Sequence, residues 1–287
     1  MRNKSRLAAE TSLRLLGHAR YEVLPTASTE EKVLEHLPPD RRVTVTASPG
    51  KGLEATLDLA ERLTGHGYSV VPHLAARMIS GRTELSEICD RLTGKGISRV
   101  FVPGGDADPA GDYHDAFSLL EDLAALGRPF EEVGITGYPE THPTISDDLT
   151  VQSMWDKRRH ATHIVSNLTF DPKAIASWVA RLRARGVTMP LLLGMPGPID
   201  RAKLLATATK IGVGESTRFL TKHRGTFVRL AAPGGFTGER FLEQCAPSLG
   251  AEGALVEGLH VFTFNQIAET EAWRNGLVER LSERLGR

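Results

Sequence analysis

Glu22 stands inside the apolar run YEVL, residues 21–24. A carboxylate in such a run faces desolvation, which is costly unless the group has a use. An acid kept neutral by burial is what general acid catalysis requires. Further polar residues recur at the ends of short β-branched runs: Thr46 and Ser48, His73 after Pro72, and Asp106 after Gly104–Gly105. Tyr138 with Glu140 and His142, then Asn167, then Thr263 with Asn265 complete the series. Thr46 and Thr263 could equally satisfy backbone groups, and His73 could be a core histidine. His73, Asp106, Glu140 and His142 together could suggest a metal site, but no strand carries an HxH pair, so no metal is expected. A Ser-His-Asp triad lacks GxSxG support.

The elements that must position these residues are legible as a repeat. Eight β-branched runs occur at 20–27, 41–48, 68–76, 98–105, 132–140, 162–170, 189–197 and 259–265. Several are continuously apolar, as parallel strands covered on both faces are. Amphipathic stretches lie between them, such as LEATLDLAERLTGHG and PKAIASWVARLRARG, and several end in Gly, a common helix stop. Eight β-then-α units in about 250 residues match a single α/β (β/α)8 TIM barrel. An open doubly wound sheet would normally carry a Gly-rich fingerprint after its first strand, and EVLPTAS has none. Residues 1–19 read as an extra N-terminal helix across one end, and 20–287 as the catalytic barrel. The segment 214–250, between strands seven and eight, is long enough for two or three extra helices. In this architecture the polar strand ends share one mouth, at the C-terminal face.

Composition narrows the partners. Lys plus Arg and Asp plus Glu are both 35, so no net field draws nucleic acid or an anionic membrane. No run reaches the roughly 18 apolar residues a bilayer span needs. The first residues lack the apolar core of a secretory signal, and Glu10 argues against a mitochondrial presequence, which leaves the cytoplasm as the expected location. Cys89 and Cys245 lie far apart without metal-ligand spacing and read as buried thiols.

Taken in order, the strand ends resemble the methylenetetrahydrofolate reductase family over roughly residues 20 to 270. YEVLPTAS resembles the family's FEFFPP-type first strand, VTVTAS its SVTYG-type second, and PHL matches directly. VPGGDADP stands where the family has LRGD followed by Pro, and GYPETHP is close to its AYPEGHP. NLTFDP parallels QFFFD, and HVFTFN parallels HFYTLN. The resemblance implies reduction of 5,10-methylenetetrahydrofolate to 5-methyltetrahydrofolate with NADH or NADPH, within one-carbon metabolism and methionine biosynthesis. It implies Glu22 as the acid that opens the substrate ring to an iminium and Asp106 as the carboxylate that stabilises the cation. Thr46, Ser48, His73, Gly105, Tyr138, Glu140, His142, Asn167, Phe219 and Asn265 are the corresponding substrate- and cofactor-binding candidates.

The departures concern the flavin. Gly104 replaces the Arg of LRGD, and Lys157, Arg158 and Arg159 are out of step with the family's basic positions after the fifth strand. Charged donors to a diphosphate are thereby lost, which favours the absence of FAD and direct hydride transfer from NADH or NADPH over transfer through FAD. A folate-dependent one-carbon transferase or demethylase without redox chemistry is the alternative, and a non-catalytic folate- or nucleotide-binding barrel a third reading. The expected partners are thus small molecules, folate and a nicotinamide dinucleotide, and a homo-oligomer is compatible with the sequence.

Overall fold

A computed structural model describes residues 2–140, 147–198 and 237–286. The eight runs form eight strands: β1 Arg20–Val23, β2 Arg42–Val45, β3 Ser69–Pro72, β4 Arg99–Val102, β5 Glu132–Gly137, β6 His163–Ser166, β7 Leu191–Pro196 and β8 Val256–Phe262. All the ladders are parallel, in the order β3-β2-β1-β8-β7-β6-β5-β4. The two ends of that order meet through a parallel bridge between His73 and Phe101. Two backbone bonds, Leu74 N–H to Phe101 O at 2.8 Å and Ala76 N–H to Pro103 O at 3.0 Å, prolong this seam. The barrel is therefore closed, as the repeat of β-then-α units predicts.

The described helices are α1 Arg2–Gly17, α2 Thr29–His36, α3 Gly52–Gly65, α4 Arg82–Gly94, α5 Ala116–Ala125, α6 Asp147–Lys157, α7 Pro172–Ala184, α8 Gly238–Leu249 and α9 Ile267–Gly286. Sequence chemistry sets their starts where a cap is available. Asp115 accepts from Phe117 N–H and Ser118 N–H at the head of α5, and Asp171 does the same for Lys173 and Ala174 ahead of Pro172. The N-terminal helix packs against α8, α9 and β8. Of the expected insertion at 214–250, α8 lies within the described residues, and 214–236 lie outside them. Among the described residues no helix is long and apolar enough to cross a membrane. Cys89 and Cys245 are both buried and free.

Strand alternation divides the buried residues in two. Tyr21, Val23, Val43, Val45, Val100, Val102, Ile135 and Ile164 point outward into the large core beneath the helices. The barrel interior holds a much smaller apolar cluster of Val71, Phe101, Val165 and Leu192. This waist needs Gly134: a Cβ there would lie 2.8 Å from His163 Nε2 and 3.0 Å from the Phe101 ring.

The N-terminal end of the barrel is closed by charge. Strands β1, β2 and β4 each open with an arginine, and all three converge on Glu132 at the head of β5. Arg20 Nη2 and Arg42 Nη1 donate to its Oε2 at 3.1 and 2.9 Å, and Arg99 Nε donates to Oε1 at 2.8 Å. Arg20 Nη1 also lies 3.0 Å from His163 Nε2. Burial, and then the charge of Arg20, push this histidine down to about 3, so it is neutral and accepts.

Candidate active site

The polar groups at the C-terminal ends of the strands gather around Glu22. Its side chain, 15% exposed, points from β1 into the barrel, and Oε2 lies 2.8 Å from His260 Nε2 on the neighbouring β8. His73 Nε2, from the end of β3, is 3.8 Å from the same oxygen, beyond hydrogen-bond reach. Burial lowers the His73 pKa to about 4, against the pull of Glu22 and with a further push from His260. The ring is thus neutral near pH 7 and forms no ion pair with Glu22. Phe101 packs against His73 at 4.6 Å between ring centroids, and Phe262 meets His260 edge-on at 4.9 Å. One carboxyl group and two imidazoles are thus held by an aromatic wall.

Several buried groups here have no hydrogen-bond partner among the described residues: Thr44 Oγ1, Thr46 Oγ1, Thr136 Oγ1, His73 Nε2 and His260 Nδ1. Thr44 is the register partner of Glu22, and Thr46 follows β2 at the mouth. Buried polar atoms are usually satisfied, so the three threonine hydroxyls mark a surface suited to a polar ligand. The alternative reading of Thr46, as a residue that satisfies backbone, does not fit its idle hydroxyl. It does fit Thr263, whose Oγ1 donates to the Glu22 carbonyl at 2.6 Å.

Other candidates hold the mouth together. The amide of Asn265 accepts from Leu24 N–H at 2.8 Å and donates to Leu24 O, Thr26 Oγ1 and Thr29 Oγ1 at 3.1, 3.2 and 2.9 Å. It stitches the loop after β8 to the loop after β1. Glu140 Oε1 accepts from Thr169 Oγ1, Phe170 N–H and Asp171 N–H at 2.9, 2.7 and 3.0 Å, and so fixes the turn into α7. Asn167 Oδ1 takes its neighbour's Leu168 N–H at 2.8 Å, and its own N–H reaches Gly137 O. Ser48 is buried, with its carbonyl at the head of α3 accepting from Lys51 N–H and Gly52 N–H. His142 and Phe219 lie outside the described residues.

The loop after β4 carries Asp106 and is zipped to the loop after β3. Arg77 N–H donates to Gly104 O at 3.1 Å, and Gly105 has φ +87° with Ala75 Cβ 3.3 Å from where its own Cβ would stand. A side chain at 105 would be strained and crowded. Asp106 itself is exposed, and its charge adds to burial in raising the pKa of the Tyr138 phenol, which places the two groups near one another.

A flavin diphosphate needs charged donors, and the residues at the positions that depart from the family pattern have these surroundings. Gly104 has only its backbone. Lys157, at the end of α6, is pushed down by burial and faces Asp115 and Asp156. Arg158 lies over the Trp155 ring at 3.6 Å and donates to the Trp155 carbonyl at 2.6 Å. Arg77, beside Gly104, spends its Nε on His114 O at 2.9 Å. Lys157, Arg158 and Arg77 are thus each engaged with neighbouring groups of the chain.

His260, Arg77 and the arginine plug are the features the sequence reading passes over. His260 sits within the apolar run HVFTF, where a histidine looks like core. Its resemblance to the first residue of HFYTLN was available as a signal, yet nothing local couples it to a residue 238 positions away.

A closed parallel barrel with an interior carboxyl group at its C-terminal mouth is a (β/α)8 barrel with a candidate active site. Consistent with that architecture, a protein of Burkholderia cenocepacia J2315 provisionally designated a lyase/mutase matches over 96% of this chain and 87% of its own, at 13% identity and a TM-score of 0.50. That likeness concerns the fold alone. The family model for methylenetetrahydrofolate reductase matches residues 28–273, and the chain belongs to this family. Membership supports reductase-like chemistry on a folate-borne one-carbon unit.

Proposed function

We propose that the protein reduces 5,10-methylenetetrahydrofolate to 5-methyltetrahydrofolate, with Glu22 as the general acid and without a flavin. The observation that carries this reading is the Glu22 carboxyl group itself. It lies inside the barrel mouth with Oε2 held by His260, and Oε1 has no partner among the described residues. An acid presented this way can protonate the leaving nitrogen of the methylene bridge. The C–N bond then breaks with its electron pair going to that nitrogen, which opens the five-membered ring to an iminium cation. Asp106, at the mouth beside Tyr138, is the carboxylate that faces the developing positive charge. The unpartnered hydroxyl of Thr46, with Tyr138 and Asn167, would take the polar edges of the ligands. NADH or NADPH, when bound, supplies the hydride that reduces the methylene carbon.

The test is consumption of NADH or NADPH that depends on methylenetetrahydrofolate, measured with the wild type and with Glu22→Gln. The variant should bind ligands and fold as before while turnover drops by about 10²–10⁴-fold. Turnover above about a tenth of wild type would remove Glu22 from the role of acid. No nicotinamide oxidation by the wild type would instead favour a one-carbon transfer without redox chemistry.

A further inference from the structure

We infer that His260 is the positioning residue that decides which oxygen of Glu22 carries the acidic proton, an inference that rests on the acid role proposed above. His260 is 1% exposed, and its ring is wedged against Phe262 and Phe101, with centroids at 4.9 and 6.5 Å. Its Nε2 lies 2.8 Å from Glu22 Oε2, while its Nδ1 is buried without a partner among the described residues. The two neutral tautomers are not equivalent in this setting. A proton on Nδ1 would leave a buried N–H donor unsatisfied, which is costly and rare. A proton on Nε2 leaves only an idle acceptor at Nδ1 and makes a hydrogen bond to Oε2. The Nε2–H tautomer is therefore the one the pocket selects.

The consequence falls on Glu22. Oε2 accepts from His260 and has the neutral His73 ring at 3.8 Å, so both imidazoles crowd the same oxygen. Oε1 is left as the oxygen that holds the proton and faces the ligand. When that proton passes to the substrate nitrogen, the carboxylate left behind keeps its bond from His260, now charge-assisted and stronger. His260 thus both aims the acid and stabilises its conjugate base, without touching substrate.

Two measurements test this. The first uses His260→Leu, which keeps bulk and removes the donor, and His260→Gln, which returns an amide N–H at similar reach. His260→Leu should lower kcat by about 10- to 100-fold, the scale of a misaimed catalytic group, with KM little changed. His260→Gln should recover most of that loss. In a Glu22→Gln background His260→Leu should cost no more than about twofold, because coupled residues are not additive. Equal losses from His260→Leu in both backgrounds would overturn the inference while leaving Glu22 as the acid. Full activity of Glu22→Gln alone would remove the acid role and this inference with it. The second measurement needs no variant: ¹⁵N spectra of the histidine side chains in the wild-type protein. They should show His260 protonated at Nε2 and bare at Nδ1, and the opposite tautomer would overturn the inference even if His260→Leu failed to fold.

Discussion

Replacing Glu132 by alanine should destabilise the protein without slowing its chemistry. Glu132 is the single carboxylate on which Arg20, Arg42 and Arg99 converge, through three hydrogen bonds of 2.8 to 3.1 Å. Its removal leaves Arg20 with the His163 ring, and Arg99 with Ser98 Oγ at 3.4 Å and the Glu131 carboxylate at 3.9 Å. Taking one partner from a buried ion pair costs about 3–5 kcal/mol. Glu132 is 27% exposed, so water recovers part of this, and about 2–3 kcal/mol is the expected loss. An unfolding entropy of about 2.1 cal/mol/K per residue gives about 0.6 kcal/mol/K for this chain, hence a Tm lower by about 4 °C. The effect should also depend on pH. Burial raises the Glu132 carboxyl pKa, but the hydrogen bond from Arg99 and the charges of Arg42, Arg20 and Arg99 outweigh it and hold the group below the usual range. A depressed carboxyl contributes stability above its unfolded value of about 4.3 and loses it as pH falls through the folded one. The gap between wild type and variant should therefore be full at neutral pH and close in acid. Thermal unfolding followed by circular dichroism, from neutral pH down to about 3, reads both effects. A Tm change under about 1 °C would refute the view of Glu132 as keystone of the plug, and a matching fall in kcat would refute the separation of this end from the site.

Three further outcomes are expected. Asp106→Asn should lower turnover by at most about 10²-fold, less than Glu22→Gln; an unchanged rate in a folded variant would assign the carboxylate to loop geometry. Asn265→Ala removes four hydrogen bonds between the β8 and β1 loops and should cost about 1–3 kcal/mol in denaturant unfolding; no loss would mean that Thr29 and Thr263 suffice to hold the loops. The purified protein should be colourless, gain no activity from added FAD, and give intersecting double-reciprocal lines for NADH and methylenetetrahydrofolate. A yellow protein with parallel lines would return it to flavin-dependent chemistry.

The strands were legible because a β-branched run buried on both faces has few other uses in a chain of this length. The eighth is the exception in its start. It begins at Val256, three residues before the apolar run LHVFTFN, since Glu257 and Gly258 interrupt the pattern that would reveal it. Glu22 was legible because a carboxyl group within YEVL breaks its surroundings. Asn265 and Glu140 were visible as polar residues at strand ends, but sequence position does not tell whether an amide or carboxylate faces a ligand or a neighbouring loop. The arginine plug was hidden for a related reason. A charge at the first residue of a strand looks like a solvated end, and only closure of the barrel brings Arg20, Arg42 and Arg99 onto one acid.

The pairing of Glu22 with His260 also sets when the site can exist. During synthesis β1 leaves the ribosome early, and His260 on its neighbour β8, 238 positions beyond Glu22, emerges late. Until then one edge of the growing sheet is open, and the Glu22 carboxyl has neither its imidazole partner nor the aromatic wall that Phe262 completes. Contacts of such sequence separation are repaid last in folding, because the loop they close is long. A nascent or prematurely terminated chain thus carries this acid in an unaimed form. The contact between Glu22 and His260 comes into being with closure of the β1–β8 seam, so the activity proposed for this site would report that the whole barrel has been made.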